Sequence, residues 1–293
     1  MVAKISEKAV HLVTTGLKKT WPSDQHLVFL GDWCLTSSNE DKLKPGTCEV
    51  LKSPICTPQH AQSMYDEVQR IYEMILPKIA NALNHIHGTD YDVKYWRLLL
   101  GIWLNSYISV YLHRYTYIKS ALESYPNFTT TGLCRSKFVV PKDTLDFNCL
   151  SFDDAYNFQI ITNVFDSLGV NYKTKEIDVP VPEMYKNLKS ASIRNILLNE
   201  ISRLYSKSVY KLYSKKLFIK DSQFPNSFLF LLTVFLGGRC VASVGIDKTI
   251  RNPTVDVDLR LELRALKFGQ GEFLDVLQSN LHRDIPCCFL ESY

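Results

Sequence analysis

Val10-His-Leu-Val-Thr-Thr15 and Leu27-Val-Phe-Leu30, the second running straight into Gly31-Asp32, are the stretches that decide the fold. The second is apolar at every position, so neither of its faces suits water. That is the pattern of a buried parallel strand rather than of a half-wet antiparallel one. Asp24 before it and Gly31-Asp32 after it mark its ends. The first run reads as a short strand leading into a basic turn through Lys18 and Lys19 to Trp21-Pro22. From Trp33 to Cys56 the chain is polar, with Pro45-Gly46 and Pro54 as punctuation, and reads as loop.

Two long helices are expected next. Thr57 is placed to cap the first and Pro58 to occupy its first turn, where the missing N–H is no loss. Met64, Val68, Ile71, Ile75, Ile79, Leu83 and Ile86 form its apolar stripe, Pro77 should kink or divide it, and Gly88 should end it. The second, from about 91 to 123, carries Trp96, Leu99, Leu100, Trp103, Tyr107, Val110 and Tyr111 at core spacing. Arg97, Gly101, Asn105 and Ile108 fall on its neighbouring face. Residues 58–124 thus read as a helical hairpin inserted after the first strands.

Further on, the pattern alternates. Strands are expected at 136–140, 172–178, 217–219 and 286–290, with helices from Ser151-Phe-Asp-Asp154 to Leu168, at 190–206 and at 271–281. A hydrophobic segment at 226–236 ends at Gly237-Gly238. Strands alternating with helices argue an α/β domain with a largely parallel sheet.

With 293 residues and 46% hydrophobic content, the chain is long enough for one large domain or two ordinary ones. Its net charge of +4 is too mild to argue for nucleic acid. The eight cysteines form no CxxC pair and read as free thiols in a reducing cytoplasm. Glu7 and Lys8 interrupt any leader-like apolar stretch. The longer segment from Tyr95 to Ile118 contains Arg97, Asn105, His113 and Arg114, which fits a buried helix better than a membrane span. Neither GxGxxG nor GxxxxGK[ST] is present.

Several clusters could carry chemistry. Gly31-Asp32-Trp33-Cys34 follows a strand, where ligands of open α/β sheets bind. There Gly31 would make the turn, Asp32 would act as a base or hydroxyl acceptor, and Trp33 would stack on a sugar or a base; the bland alternative is an ordinary turn with a buried Trp. Cys34 would need a nearby His to be a nucleophile and reads more simply as an apolar filler. His85 and His87 have the wrong helical spacing for one metal. In the cluster Tyr95-Trp-Arg97…Trp103…Arg114, an arginine inside an apolar helix should pair with an acidic side chain such as Asp32 or Glu67, or else grip a phosphate or carboxylate. Asp256 and Asp258 alternate within Val255-Asp-Val-Asp-Leu259 as in a half-exposed strand, so no metal site is expected. Residues 186–220 are dense in Lys and Arg, with Glu200 the one acid, and read as a solvated face or as a surface meeting phosphates or an anionic membrane.

Taken in order, several segments resemble one family. They are Leu12-Val-Thr-Thr15, Lys19-Thr-Trp-Pro22, Val28-Phe-Leu-Gly-Asp-Trp-Cys34, Leu76-Pro77, His85-Ile-His-Gly88 and Lys94-Tyr-Trp-Arg-Leu-Leu-Leu-Gly-Ile-Trp-Leu104, with Phe289-Leu-Glu291 a late match. The family is the bacterial transferases of O-antigen and surface-polysaccharide gene clusters, which look like glycosyltransferases with two Rossmann-like halves (GT-B-like). This chain has Asp32 where the family more usually has Glu, and Lys94 where Arg is common. The resemblance implies a Rossmann-like, acceptor-side domain over residues 1–293, lacking the carboxyl-terminal half that usually holds the nucleotide-sugar donor. It implies Asp32 as the catalytic acid/base group, with Gly31, Trp33, Trp96, Arg97 and Trp103 binding substrate. It implies a nucleotide-sugar donor for the complete enzyme and a glycan or lipid-linked glycan acceptor; the residues themselves point to no cofactor, no metal ligand set and no nucleic acid partner, and leave a metal requirement open. A separate chain could supply the missing half. The location expected is cytoplasmic, or peripheral at the inner membrane through residues 186–220. Two alternatives stand beside it: a non-catalytic module docking on a partner chain or lipid-linked glycan, and an inactive truncated remnant.

Overall fold

The structure is a computed structural model that describes residues 10–35, 48–179, 217–220, 240–243, 254–291 and 293. The chain divides into one unit of residues 1–180 with 253–293, and a second of residues 181–252. The first is built on five strands: β1 (Val10–Val13), β2 (His26–Phe29), β3 (Cys48–Val50), β4 (Phe128–Leu133) and β5 (Lys173–Lys175). They lie in the order β3-β2-β1-β4-β5, and every pairing is parallel. Leu12 stands opposite both Val28 and Thr130. The architecture is therefore α/β and Rossmann-like. The chain walks outward from β1 to β3, then returns to the other side of β1, so the order reverses between β1 and β4. Ligands of such sheets bind beyond the carboxyl ends of the strands at that reversal.

The return from β3 to β4 is made by α1 (Pro58–His87) and α2 (Val93–Ser124). The Thr57 hydroxyl accepts from the His60 N–H at 3.2 Å, and Gly88 closes α1 in the left-handed conformation at φ 62°. Pro77 does not divide α1, which runs unbroken through it. An interior proline costs roughly 3 kcal/mol. Ile75, Leu76, Ile79 and Ala80, buried on both sides of Pro77, outweigh that locally. In α2, the Asp92 carboxylate accepts from the Tyr95 N–H at 2.8 Å, and Trp96, Leu100, Trp103, Tyr107 and Tyr111 are buried as their spacing requires. Leu99 departs from that stripe and, with Leu98 and Ile102, faces solvent.

After β4 come α3 (Thr144–Leu150), which the sequence pattern does not announce, and α4 (Asp154–Leu168), capped by the Asp153 carboxylate. Then α5 (Val257–Arg264) and α6 (Glu272–Asp284) complete the unit. Three expected strands need correction. The strand expected at 136–140 lies earlier, at Phe128–Leu133, while Arg135–Lys137 is a 3₁₀ turn. Its Phe-Thr-Thr-Thr-Gly-Leu sequence looks polar, yet the Thr130 hydroxyl is satisfied inside by the Leu12 carbonyl at 2.9 Å. Residues 286–290 hold a 3₁₀ turn, Cys287–Phe289, in which the Cys287 and Cys288 N–H groups reach the Pro141 and Lys142 carbonyls instead of a ladder. Asp256 does not alternate along a strand; it caps α5 by accepting from the Leu259 N–H at 3.0 Å.

In the second unit, β6 (Leu217–Lys220) and β7 (Cys240–Ser243) form a parallel pair, in agreement with the strand expected at 217–219. The expected helix 190–206, the segment 226–236 and the basic stretch from 186 to 216 lie outside the described residues. Cys34, Cys48, Cys56, Cys134, Cys149, Cys287 and Cys288 are free thiols. Among the described residues, no helix is long and apolar enough to cross a membrane.

Candidate functional site

At the carboxyl end of β2 the chain turns through Gly31 into a 3₁₀ turn, Asp32–Cys34. The Gly31 backbone is extended, at φ −173°, which any residue can adopt. What demands glycine is Trp33: its ring folds back so closely that a Cβ on Gly31 would overlap the ring carbons Cζ3 and Cη2. The Trp33 indole N–H then donates to the Thr14 carbonyl at 3.2 Å, tying the loop after β2 to the loop after β1. Tyr117 meets the same ring edge-on at 4.7 Å. With Trp33 turned inward, the neighbouring Asp32 side chain is left exposed. Among the described residues that side chain accepts no hydrogen bond and joins no ion pair.

Cys34 points the other way. It is buried, its thiol donates to the Val13 carbonyl at 3.6 Å, and burial pushes its pKa up to about 12. A thiol held protonated in this way is core, not nucleophile.

Arg114 comes from the middle of α2 to this same edge. Its guanidinium lies over the Trp33 ring at 5.5 Å, and its Nε and Nη2 donate to the Asn157 Oδ1 at 3.1 and 2.7 Å. Its Nη1 reaches His113 Nδ1 at 2.7 Å. Arginine can only donate, so that nitrogen accepts and the imidazole proton sits on Nε2. Burial, with the Arg114 charge beside it, pushes the His113 pKa down to about 4, which leaves the ring neutral. Asp154, at the start of α4, accepts from the Gly16 N–H at 3.2 Å, and burial raises its carboxyl pKa against that hydrogen bond.

Of the residues singled out in the sequence, Gly31, Asp32 and Trp33 stand together at this edge. Arg97 does not join them. It makes a fork with the Glu73 carboxylate, at 2.5 and 2.7 Å, and lies over the Tyr72 ring at 5.4 Å. Neither expected partner takes part, since Glu67 pairs with Arg70 one turn along α1. Arg97 and Glu73 are both exposed, on the wall of an open groove of about 450 Å³ between α1 and α2. Trp96 and Trp103 are fully buried. Trp96 donates to the Asn84 Oδ1 at 2.9 Å and stacks on Tyr293 at 5.3 Å, whereas Trp103 stacks on Tyr107 at 5.3 Å. Neither indole presents a face to solvent.

His113, Tyr117, Asp154 and Asn157 join the edge without having been singled out. His113, Arg114 and Tyr117 share a local stretch of α2, a signal available in the sequence; Asn157 and Asp154 reach them only through the tertiary fold. His87 is taken up by the Phe289 carbonyl at 3.0 Å, and among the described residues no group of three or more His, Cys, Asp or Glu could hold a metal ion.

A family model described as LIC12162 family transferase matches residues 10–293. No curated protein and no solved structure matches the chain.

Proposed function

We propose, from the premise that the chain belongs to the LIC12162 family of transferases, that the group it transfers is a glycosyl unit. The donor in this reading is a nucleotide-sugar, and the acceptor is a hydroxyl of a lipid-linked or growing surface glycan of the O-antigen kind. Asp32 takes the proton from that hydroxyl as its oxygen bonds to the anomeric carbon and the bond from that carbon to the donor phosphate oxygen breaks, the nucleotide leaving with the electron pair; general-base help of this kind contributes roughly 10²–10⁴-fold. The observation that carries the reading is the exposed Asp32 carboxylate at the carboxyl end of a central strand in an all-parallel sheet. Ligands of such sheets bind there. Trp33 supports it from below by holding the loop to β1, which leaves Asp32 at the surface. In this reading the residues of this unit supply the acceptor side.

The test is nucleotide release from UDP-, GDP-, dTDP- and CMP-sugars by the full chain, with and without a lipid-linked glycan acceptor. Acceptor-dependent release from one nucleotide class is the expected result. Release from none of them would overturn the glycosyl reading.

A further inference from the structure

We propose that Arg114 is the centre of an anion site that takes phosphoryl oxygens at the carboxyl edge of the sheet. A guanidinium is always charged, and removing it from water is expensive unless a negative group compensates. Arg114 is half-buried, and that burial lowers its pKa, yet among the described residues every hydrogen-bond partner it has is neutral. Asn157 Oδ1 takes two of its N–H bonds and His113 Nδ1 a third. The Asn157 amide cannot be turned round, because its Nδ2 already donates to the Ser151 and Asp153 carbonyls at 2.7 and 2.9 Å. His113 is held neutral by the same burial. Of the two acids the edge carries, Asp154 is turned to the Gly16 N–H and Asp32 forms no ion pair with Arg114.

Two of the five N–H bonds of the guanidinium, one on Nη1 and one on Nη2, are therefore left without a partner among the described residues. Two donors on one rigid plane match two oxygens of a phosphate or diphosphate. The plane itself is locked, by Asn157 on one edge and by Trp33 beneath at 5.5 Å. Little side-chain freedom remains to be lost when an anion arrives. The remaining charge, the spare donors and the locked geometry agree on one ligand chemistry. The site sits beside Asp32 but does not rest on the glycosyl reading, because an anion could bind here whatever group is transferred.

Calorimetric titration of the full chain with inorganic pyrophosphate, against sodium chloride at matched ionic strength, tests it. Wild type should bind, and Arg114→Gln should weaken binding about tenfold or more. His113→Glu keeps the arginine but places a carboxylate against it, so it should lose binding as well. His113→Gln, with a neutral acceptor, should stay within about threefold of wild type. This pair decides the matter even if Arg114→Gln misfolds. Uridine diphosphate and phosphatidylcholine vesicles carrying a polyprenyl phosphate separate the sources. Tighter binding of the nucleotide assigns the phosphoryl group to a soluble donor, and Arg114-dependent sedimentation with vesicles assigns it to a lipid carrier. No pyrophosphate binding by wild type, or equal binding by His113→Glu and His113→Gln, would overturn the proposal. Neither result would bear on Asp32.

Discussion

Replacing Asp284 by Asn should change how stability depends on pH. Asp284 ends α6 with no exposure to solvent and accepts a hydrogen bond from the Tyr111 hydroxyl. Its second oxygen has no partner among the described residues, and burial raises the carboxyl pKa from 3.8 to about 6. Between those values the folded state holds a proton that the unfolded state has lost, so this group makes stability fall as pH rises from about 4 to about 6. A shift of about two units corresponds to about 3 kcal/mol, fully lost above about pH 6. Asn cannot ionise, yet its carbonyl oxygen still accepts from Tyr111. Urea unfolding of both proteins at several pH values between 4 and 7.5 gives the difference directly. The Asp284→Asn variant should gain on wild type by about 3 kcal/mol across that range. A difference that stays flat with pH would refute the reasoning. Subtraction matters here, because other groups titrate in the same window with opposite sign.

Those groups are His11, His113 and His282, each lowered by burial from 6.5 to about 4. Their unfolded forms bind protons first, so wild-type stability from this source rises with pH between about 4 and 6.5, and His282→Gln should reduce that slope in the same titration. Gly31→Ala should destabilise by about 1–3 kcal/mol by forcing Trp33 off the Thr14 carbonyl, and the loss should shrink in a Trp33→Ala background, as read by a double-mutant cycle. Arg260 and Glu291 form an ion pair in which both side chains are about 5% exposed or less, and Arg260 also donates to the Ile285 carbonyl at 2.9 Å. Glu291→Ala should therefore cost about 3–5 kcal/mol in denaturant unfolding. By contrast, Arg97→Ala should cost no more than about 1 kcal/mol, because its pair with Glu73 lies in solvent.

The sheet was legible in the sequence where strands were apolar on both faces, as in Leu27-Val-Phe-Leu30, and the helices where caps and periodicity agreed, as at Thr57, Asp153 and Gly88. It was not legible at β4, where Thr129 and Thr130 turn their hydroxyls to the Val10 and Leu12 carbonyls of β1. Nor could spacing distinguish an N-cap from a strand at Asp256, since both place an acid beside alternating apolar residues. At the site, strand-end position located Gly31, Asp32 and Trp33. The two arginines of α2 share one expectation in the sequence and part in the fold. Arg97 sits nearer the conspicuous tryptophans in sequence, but the helical period turns it toward Glu73 in solvent. Arg114, further along α2, is carried to the sheet edge. Its lack of an acidic partner is a tertiary fact, and no local pattern records it.

The central claim is that the carboxyl edge of β1 and β2 is the transferase site with Asp32 at its heart. Its most direct test is acceptor-dependent nucleotide release by Asp32→Asn beside wild type, with matching unfolding curves to show that both are folded. A loss of about 10²-fold or more is expected. Undiminished turnover by a folded Asp32→Asn protein would contradict the account.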